Sequence, residues 1–163
     1  MPFALAFLLF AGCCLAPAAP AQAEVAMPPE KACRALRGLG LKPGPYKLQG
    51  DMHCCLAEVV LTPGARCNSL IYQAFGDRDQ VRELRLELSV DQPREERAAK
   101  ELFTRAALRL AEAAGSQEPP DGLAEAAARN SEGNWEAGKA LIDLVDHPSF
   151  DSPGGYKLVL TIR

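Results

Sequence analysis

Apolar and polar residues alternate most regularly in residues 81–90, VRELRLELSV. A period of two predicts a β-strand with one face buried and the other in water. Two more apolar segments, residues 53–61 (HCCLAEVVL) and 69–76 (SLIYQAFG), predict strands before it. The short GDRD connection favours an antiparallel hairpin between the second and third strands. The buried face of the third strand would carry Leu84, Leu86, Leu88 and Val90.

The period changes to that of a helix after residue 92. We predict a long helix from residue 93 to about residue 114, with Asp91 or Gln92 capping its start and Gly115 ending it. Shorter helices are predicted before and after it, in PPEKACRALRGLG (28–40) and DGLAEAAARN (121–130). The apolar stripe of the long helix, which we expect to pack on the sheet, is Ala99, Leu102, Phe103, Ala106, Leu110 and Ala113.

Two strands are predicted to close the chain, at residues 135–147 and 155–163. Their connection, PSFDSPGG, is long and polar, and we expect it to be mobile. The element order is therefore α-β-β-β-α-α-β-β. That order predicts an α+β fold, with a largely antiparallel sheet of about five strands and the long helix packed on one face.

The first 23 residues predict a secretory signal peptide. They contain no charged side chain, have an apolar run over residues 3–15 and end in Ala21-Gln22-Ala23. The mature chain would begin at Glu24 and form a single α+β domain over residues 24–163, periplasmic or secreted. About 20 apolar residues are needed to span a bilayer, so we expect no membrane span. A second interpretation is a lipid anchor, because FAGC, ending at Cys13, resembles a lipobox.

Charge and motifs argue against several function classes. The formal net charge is -3, and basic residues are interspersed with acidic ones, which gives no reason to expect a nucleic-acid partner. The chain has no GxSxG, no phosphate-binding glycine loop and no HExxH. We therefore expect no cofactor and no resident metal, and enzymatic function is disfavoured.

Four cysteines remain after the predicted cleavage, namely Cys33, Cys54, Cys55 and Cys67. An even number of cysteines in an oxidising compartment predicts two disulfides, with three possible pairings. A strand would point Cys54 and Cys55 to opposite faces. One of them would then face Cys33 in the first helix, and the other would reach Cys67 across the TPGAR bend. A bond between the two adjacent cysteines would be strained.

Two reactive alternatives involve the same cysteines. A sulfur-rich set for Cu(I) or zinc is available, but it lacks paired CxxC or HxxxH spacing. A cysteine nucleophile would need a base, and His147 is the only histidine besides the one in the DMHCC segment. The candidate metal ligands are Met52, His53, Cys54, Cys55 and Cys67.

Two functional classes fit these observations. The first, which we favour, is a non-enzymatic interaction module that contacts an envelope protein through an exposed sheet face, an edge strand or the PSFDSPGG loop. The second is a small-molecule-binding or catalytic envelope protein with a cleft near Trp135, lined also by Tyr72 and Tyr156. A deep cleft with converging polar groups would favour the second class, and a flat exposed apolar patch would favour the first.

Several segments resemble a family of uncharacterised small exported bacterial proteins. They are CRALRGLGL, NSLIYQAFG, VRELRLELSVDQP and the closing GYKLVLTIR, together with the long helix and the single tryptophan. Met52 occupies a position that is often aromatic in that family, so DMHCC departs from its pattern. The resemblance implies no assigned activity. The element order is also similar to that of type III secretion chaperones, but only at the level of fold, and export argues against their cytosolic role.

Overall fold

The computed structural model describes residues 25–115, 118–149 and 152–163. The predicted signal peptide, its cleavage site and Cys13 lie outside the described residues, as do Phe150 and Asp151 of the PSFDSPGG loop. Within the described ranges, no helix is both long and apolar enough to cross a membrane. The elements are α1 (Pro29–Arg34), a 3₁₀ turn (Arg37–Leu39), β1 (Lys47–Gln49), β2 (Met52–Val60), β3 (Ser69–Gly76), β4 (Val81–Val90), a 3₁₀ turn (Pro93–Glu95), α2 (Glu96–Ala113), α3 (Leu123–Arg129), β5 (Gly133–Ala137), β6 (Ala140–Pro148) and β7 (Tyr156–Ile162).

The described strands form one antiparallel sheet in the order β1-β2-β3-β4-β7-β6-β5. Helices α1, α2 and α3 pack on the sheet through the same face, with α2 against β3 and β4. The prediction of an α+β fold, an antiparallel sheet and a long helix on one face is therefore confirmed. The β3–β4 hairpin is also as predicted.

The prediction of about five strands is wrong, because the described part of the sheet has seven. β1 was missed since Lys47, Leu48 and Gln49 are all exposed and show no apolar alternation. The segment predicted as one strand at residues 135–147 is two strands, β5 and β6, joined by a tight turn at Gly138. Gly138 has a φ of 65°, a left-handed conformation that glycine adopts without steric cost.

The core lies between the sheet and the helices. On α2 the residues that meet the sheet include several alanines, whose small side chains let the helix approach closely. The buried residues of α2 are Ala99, Phe103, Ala106, Ala107, Leu110 and Ala111. One row of paired residues crosses five strands on the helix side of the sheet and is buried throughout: Ala57, Tyr72, Leu86, Leu160 and Leu144.

The predicted side-chain cap of the long helix is wrong. Neither Asp91 nor Gln92 caps α2, and its first residues carry no side-chain cap. Instead Asn68, fully buried in the bend before β3, accepts hydrogen bonds from the backbone N–H of Asp91 (2.9 Å) and of Gln92 (2.8 Å). Its own amide donates to the Gln92 carbonyl at 3.1 Å. The chain before α2 is thus fixed by a residue 24 positions earlier in the sequence.

Candidate functional site

The first helix and the sheet are joined by a disulfide between Cys33 and Cys55, with the Cα atoms 6.1 Å apart. The presence of a disulfide and its attachment of α1 to β2 agree with the sequence prediction. Cys55 faces the helices, as does Tyr72, whose hydroxyl donates to the Ala32 carbonyl at 2.8 Å. Cys54, its neighbour in the strand, must then point to the other side of the sheet.

The second predicted bridge does not form, because Cys54 and Cys67 are free cysteines. The reason is the length of β2. Cys54 pairs with Phe75, whereas Val60, at the end of the strand before the bend, pairs with Ser69. Six residues of strand correspond to about 20 Å, far beyond the roughly 7 Å between Cα atoms that a disulfide tolerates.

The two histidines lie in different parts of the sheet. His53 stacks on the ring of Tyr46, with ring centroids 5.8 Å apart. His147 lies on β6, where it pairs with Lys157 of β7. Since β6 is four strands away from β2, His147 is at least about 20 Å from Cys54. Among the described residues, no group of three or more His, Cys, Asp or Glu side chains is placed to hold a metal ion.

The three aromatic residues expected around a cleft serve the core instead. The hydroxyl of the buried Tyr72 is bonded to α1, as described above. The Trp135 indole donates to the Asp121 carbonyl at 3.1 Å. The Tyr156 hydroxyl donates to Glu96 Oε2 at 2.6 Å, and burial, followed by this hydrogen bond, raises the pKa of Tyr156 above its ordinary value. Each polar group is therefore satisfied by the fold.

Three clefts open on the surface of the described part of the chain. The one between α2 and α3 has a volume of about 610 Å³ and is lined mainly by charged residues of α2, with Ala128 from α3. A second, of about 410 Å³, lies between α1 and the Pro43–Tyr46 segment. A third, of about 580 Å³, lies between Leu61 and Thr62 and the start of α2. None of the three is lined by an aromatic residue expected at the site.

The face of the sheet turned away from the helices, here called the open face, has no described helix packed on it, although Cys54 on this face is only 4% exposed. Its part on β2 and β3, the apolar half, consists of Met52, Cys54, Leu56, Val60, Ile71 and Phe75. Met52 is 54% exposed, Leu56 41% and Val60 58%, although most large apolar side chains of the described chain are buried. One charged residue, Glu58, lies among them.

The remainder of the open face, on β4, β7 and β6, differs in character. Apart from Asp143, its acidic and basic side chains are paired with each other. Lys157 bonds Glu87 at 3.0 Å, and Arg85 approaches the same carboxylate at 3.3 Å. Arg163 bonds Glu83 at 2.9 Å, and that hydrogen bond is the main cause that raises the pKa of Arg163. We call this part the charged half, formed by Glu83, Arg85, Glu87, Asp143, Lys157 and Arg163.

The apolar half ends at an incompletely paired strand edge. β1 pairs only with residues 52–54 of β2, and one further hydrogen bond runs from the Gly44 N–H to the Leu56 carbonyl at 3.0 Å. On the other side of the strand, the Leu61 N–H donates toward β3, to the Asn68 carbonyl, at 2.7 Å. Backbone groups alternate sides in an antiparallel strand, so those of Glu58 and Val60 point to the free edge.

Sequence reasoning named an exposed sheet face and an edge strand, but it did not identify which one. A signal was present in the β2 sequence, where apolar residues occupy both faces: Cys55, Ala57 and Val59 toward the helices, and Met52, Cys54, Leu56 and Val60 toward the open face. A continuous apolar run is typical of a strand covered on both faces. In the described structure only one face of β2 is covered.

Comparison with known proteins identifies a family and no activity. The model of a family of unknown function, DUF6030, matches residues 16–132, which is more than half of the chain, and the chain belongs to that family. The match ends before β5, so the last three strands lie outside it. No curated protein matches the chain, and no solved structure does.

Proposed function

We propose that this DUF6030 protein is a small exported interaction module without enzymatic activity, and that it binds a partner protein of the cell envelope through the apolar half of its open sheet face. The observation that carries the proposal is the β2 strand, which is apolar on both faces but covered on one. Exposed apolar patches on soluble domains mark sites of association, because covering them removes apolar surface from water.

The distribution of exposed large apolar residues supports the same surface. Three of the five that stand out lie on β2 and on the open face: Met52, Leu56 and Val60. A fourth, Leu48 on β1, pairs with His53 and so lies on the other face of the sheet. The fifth, Leu141, is isolated on β6 at 43% exposure, close to the 41% of Leu56. A scattered exposed leucine is ordinary on a protein surface, whereas a row along one strand is not. Leu141 therefore provides a matched control for Leu56.

Export is the second part of the proposal. It rests on the uncharged, apolar first 23 residues and the Ala21-Gln22-Ala23 site. Val25 and Met27 are buried at 1% and 3% exposure, and Met27 pairs with Val81. Cleavage before Glu24 would leave the described part of the chain intact. N-terminal sequencing of protein from the periplasmic or secreted fraction should give Glu24; an uncleaved chain, or a lipid-modified one beginning at Cys13, would refute this part.

The interaction is tested with a pair of charge substitutions. Tagged wild-type, Leu56→Asp and Leu141→Asp proteins are produced in cells, crosslinked with a reversible reagent and isolated, and the accompanying proteins are quantified by mass spectrometry. A carboxylate buried in an apolar interface is costly, so Leu56→Asp should deplete the partner by about ten-fold or more. Leu141→Asp should retain it. Equal recovery with all three proteins would contradict the proposal.

A further inference from the structure

We infer that the partner binds as an added β-strand along the free half of β2, residues 58–60, and that the added segment carries a basic residue and, two positions away, an apolar one. The inference rests on the proposed function, because it concerns the same surface, and it names how the partner is recognised. The site is a strand edge and not a cavity, so backbone hydrogen bonds supply part of the binding and side chains on the open face supply selectivity.

The free half of β2 has backbone groups available for such pairing. Within the described residues, the N–H and C=O of Glu58 and Val60 have no partner on the outer side of the strand. β1 does not extend to them, because the chain that precedes it contains Pro43 and Pro45, which have no N–H to donate. An unpaired edge of this kind is a template for another strand.

Side chains on the open face specify what the added strand carries. Glu58 and Val60 both project from the free half on that face, and both are exposed. Glu58 makes no ion pair with any described residue, unlike Glu83 and Glu87 of the charged half. A strand paired in register would place a basic residue opposite Glu58 and an apolar residue opposite Val60, and it would end before Leu56, whose carbonyl already accepts from the Gly44 N–H. Cross-strand pairs of opposite charge stabilise a sheet, and like charges opposite each other destabilise it.

The same charge argues against a second copy of this chain as the occupant. Antiparallel pairing of two free halves centred on Glu58 would bring Glu58 opposite its own copy, and pairing centred on Val59 would set Glu58 opposite Val60 and leave both carboxylates without a basic partner. The occupant that fits the edge is therefore an extended segment of a different polypeptide, with a basic and an apolar residue at alternate positions.

The test uses a seven-residue peptide, acetyl-Thr-Val-Thr-Lys-Thr-Val-Thr-amide, titrated into isotope-labelled protein and followed by NMR. Its central lysine pairs with Glu58 when one valine meets Val60. We expect shifts of the Glu58 and Val60 amide signals at millimolar peptide, with slowed exchange of both amides. A peptide with glutamate at the centre should bind about five-fold more weakly or worse, given the size of cross-strand charge effects.

Three controls make the result specific. The Glu58→Lys variant should reverse the preference, binding the glutamate peptide more tightly; Glu58 is exposed, so the substitution leaves the core unchanged. N-methylation of the backbone nitrogen of the central lysine removes the N–H donor that faces β2 and should abolish binding. N-methylation of the next threonine, whose N–H points away from β2, should reduce binding less.

The remaining outcomes would contradict strand addition, the interaction surface or the choice of partner. If neither peptide binds while Leu56→Asp still releases the cellular partner, strand addition is wrong and the interaction surface stands. If neither peptide binds and the partner is retained by all variants, both proposals are wrong. Dimers in sedimentation experiments with protected Glu58 and Val60 amides would show that a second copy occupies the edge.

Discussion

The two halves of the open face are built from similar strands but expose different kinds of side chain. In the charged half, each of the acidic residues Glu83 and Glu87 meets at least one basic residue from a neighbouring strand or position. Val159, opposite Glu87 on β7, is only 8% exposed. In the apolar half, Met52, Leu56 and Val60 project from one strand with at least 41% of each exposed. Both halves belong to the same antiparallel sheet.

The difference shows which of the two uncovered surfaces is stable in water without a partner. Long charged side chains that pair across strands shield the sheet, and solvent satisfies their remaining polar atoms. Exposed aliphatic side chains have no such partner in water, and leaving them uncovered forgoes about 25 cal/mol for each Å² of apolar surface. The apolar half therefore gains from a partner, and the charged half does not need one.

The largest expected effect is on the free energy of unfolding, after removal of the disulfide that joins α1 to β2. Replacing the disulfide in the double variant Cys33→Ser, Cys55→Ala removes a crosslink between residues separated by 22 positions. The chain-entropy relation predicts a loss of about 3 kcal/mol in the free energy of unfolding, measured by urea denaturation. The free cysteine variant Cys67→Ser should be nearly neutral. An unchanged midpoint in the double variant would show that the bridge does not hold β2.

The next effect concerns the bend that joins β2 to β3. Asn68→Ala removes two hydrogen bonds accepted by the side chain and one donated by it, all in a buried site. We expect a loss of about 2 to 3 kcal/mol in the free energy of unfolding, because buried backbone N–H groups lose their acceptor. Asn68→Asp keeps the acceptors and should recover part of the loss. If alanine and aspartate variants have equal stability, the hydrogen bonds to Asp91 and Gln92 are not the cause.

A smaller effect is expected in the charged half. Glu87 has a side chain only 16% exposed and accepts from both Arg85 and Lys157. Glu87→Gln should lower the free energy of unfolding by about 1 kcal/mol, between the values for exposed and buried ion pairs. The difference from wild type should shrink in about 0.5 M salt, because the pairs are partly screened. Equal differences at low and high salt would indicate that packing, and not charge, holds this half.

The smallest expected effect is the change in the free energy of unfolding caused by the two leucine substitutions, which tests whether Leu56 supports the fold or only binds the partner. Leu56→Asp and Leu141→Asp should each change the free energy of unfolding by no more than about 0.5 kcal/mol, because both leucines are exposed to a similar extent. Thermal and urea denaturation of the two variants test this. A large loss in Leu56→Asp alone would mean that Leu56 supports the fold, and its effect on partner recovery would then no longer report a docking surface.

Regular local patterns predicted most of the fold. β4 and β3 follow directly from alternating apolar residues over 81–90 and 69–76, and α2 follows from apolar spacing that begins near residue 96. β1 escaped prediction because it is an exposed edge of three residues with no buried face. The predicted cap before α2 was wrong because Asn68 makes the contact to this segment instead. Asn68 is distant in the sequence, and no local pattern indicates that contact.

The candidate site was harder to predict from the sequence than the fold. The opposite directions of Cys54 and Cys55 predicted that one of them would meet Cys33, without showing which, and the structure identifies Cys55. The bridge predicted from the other cysteine to Cys67 required a short strand, whereas β2 has nine residues. Which face of a sheet remains uncovered depends on where every helix packs. The apolar composition of both faces of β2 was visible in the sequence, whereas its exposure on one face required the three-dimensional structure.

The most direct test of the docking surface places a photoreactive amino acid at residue 56 and, in a matched protein, at residue 141. The two positions are leucines with 41% and 43% exposure, on β2 and β6 of the open face. After irradiation of producing cells, we predict a discrete adduct with one partner from residue 56, competed by wild-type protein and weaker by about ten-fold or more from residue 141. Equal adducts from the two positions, or an adduct from residue 141 alone, would contradict the assignment of binding to the apolar half.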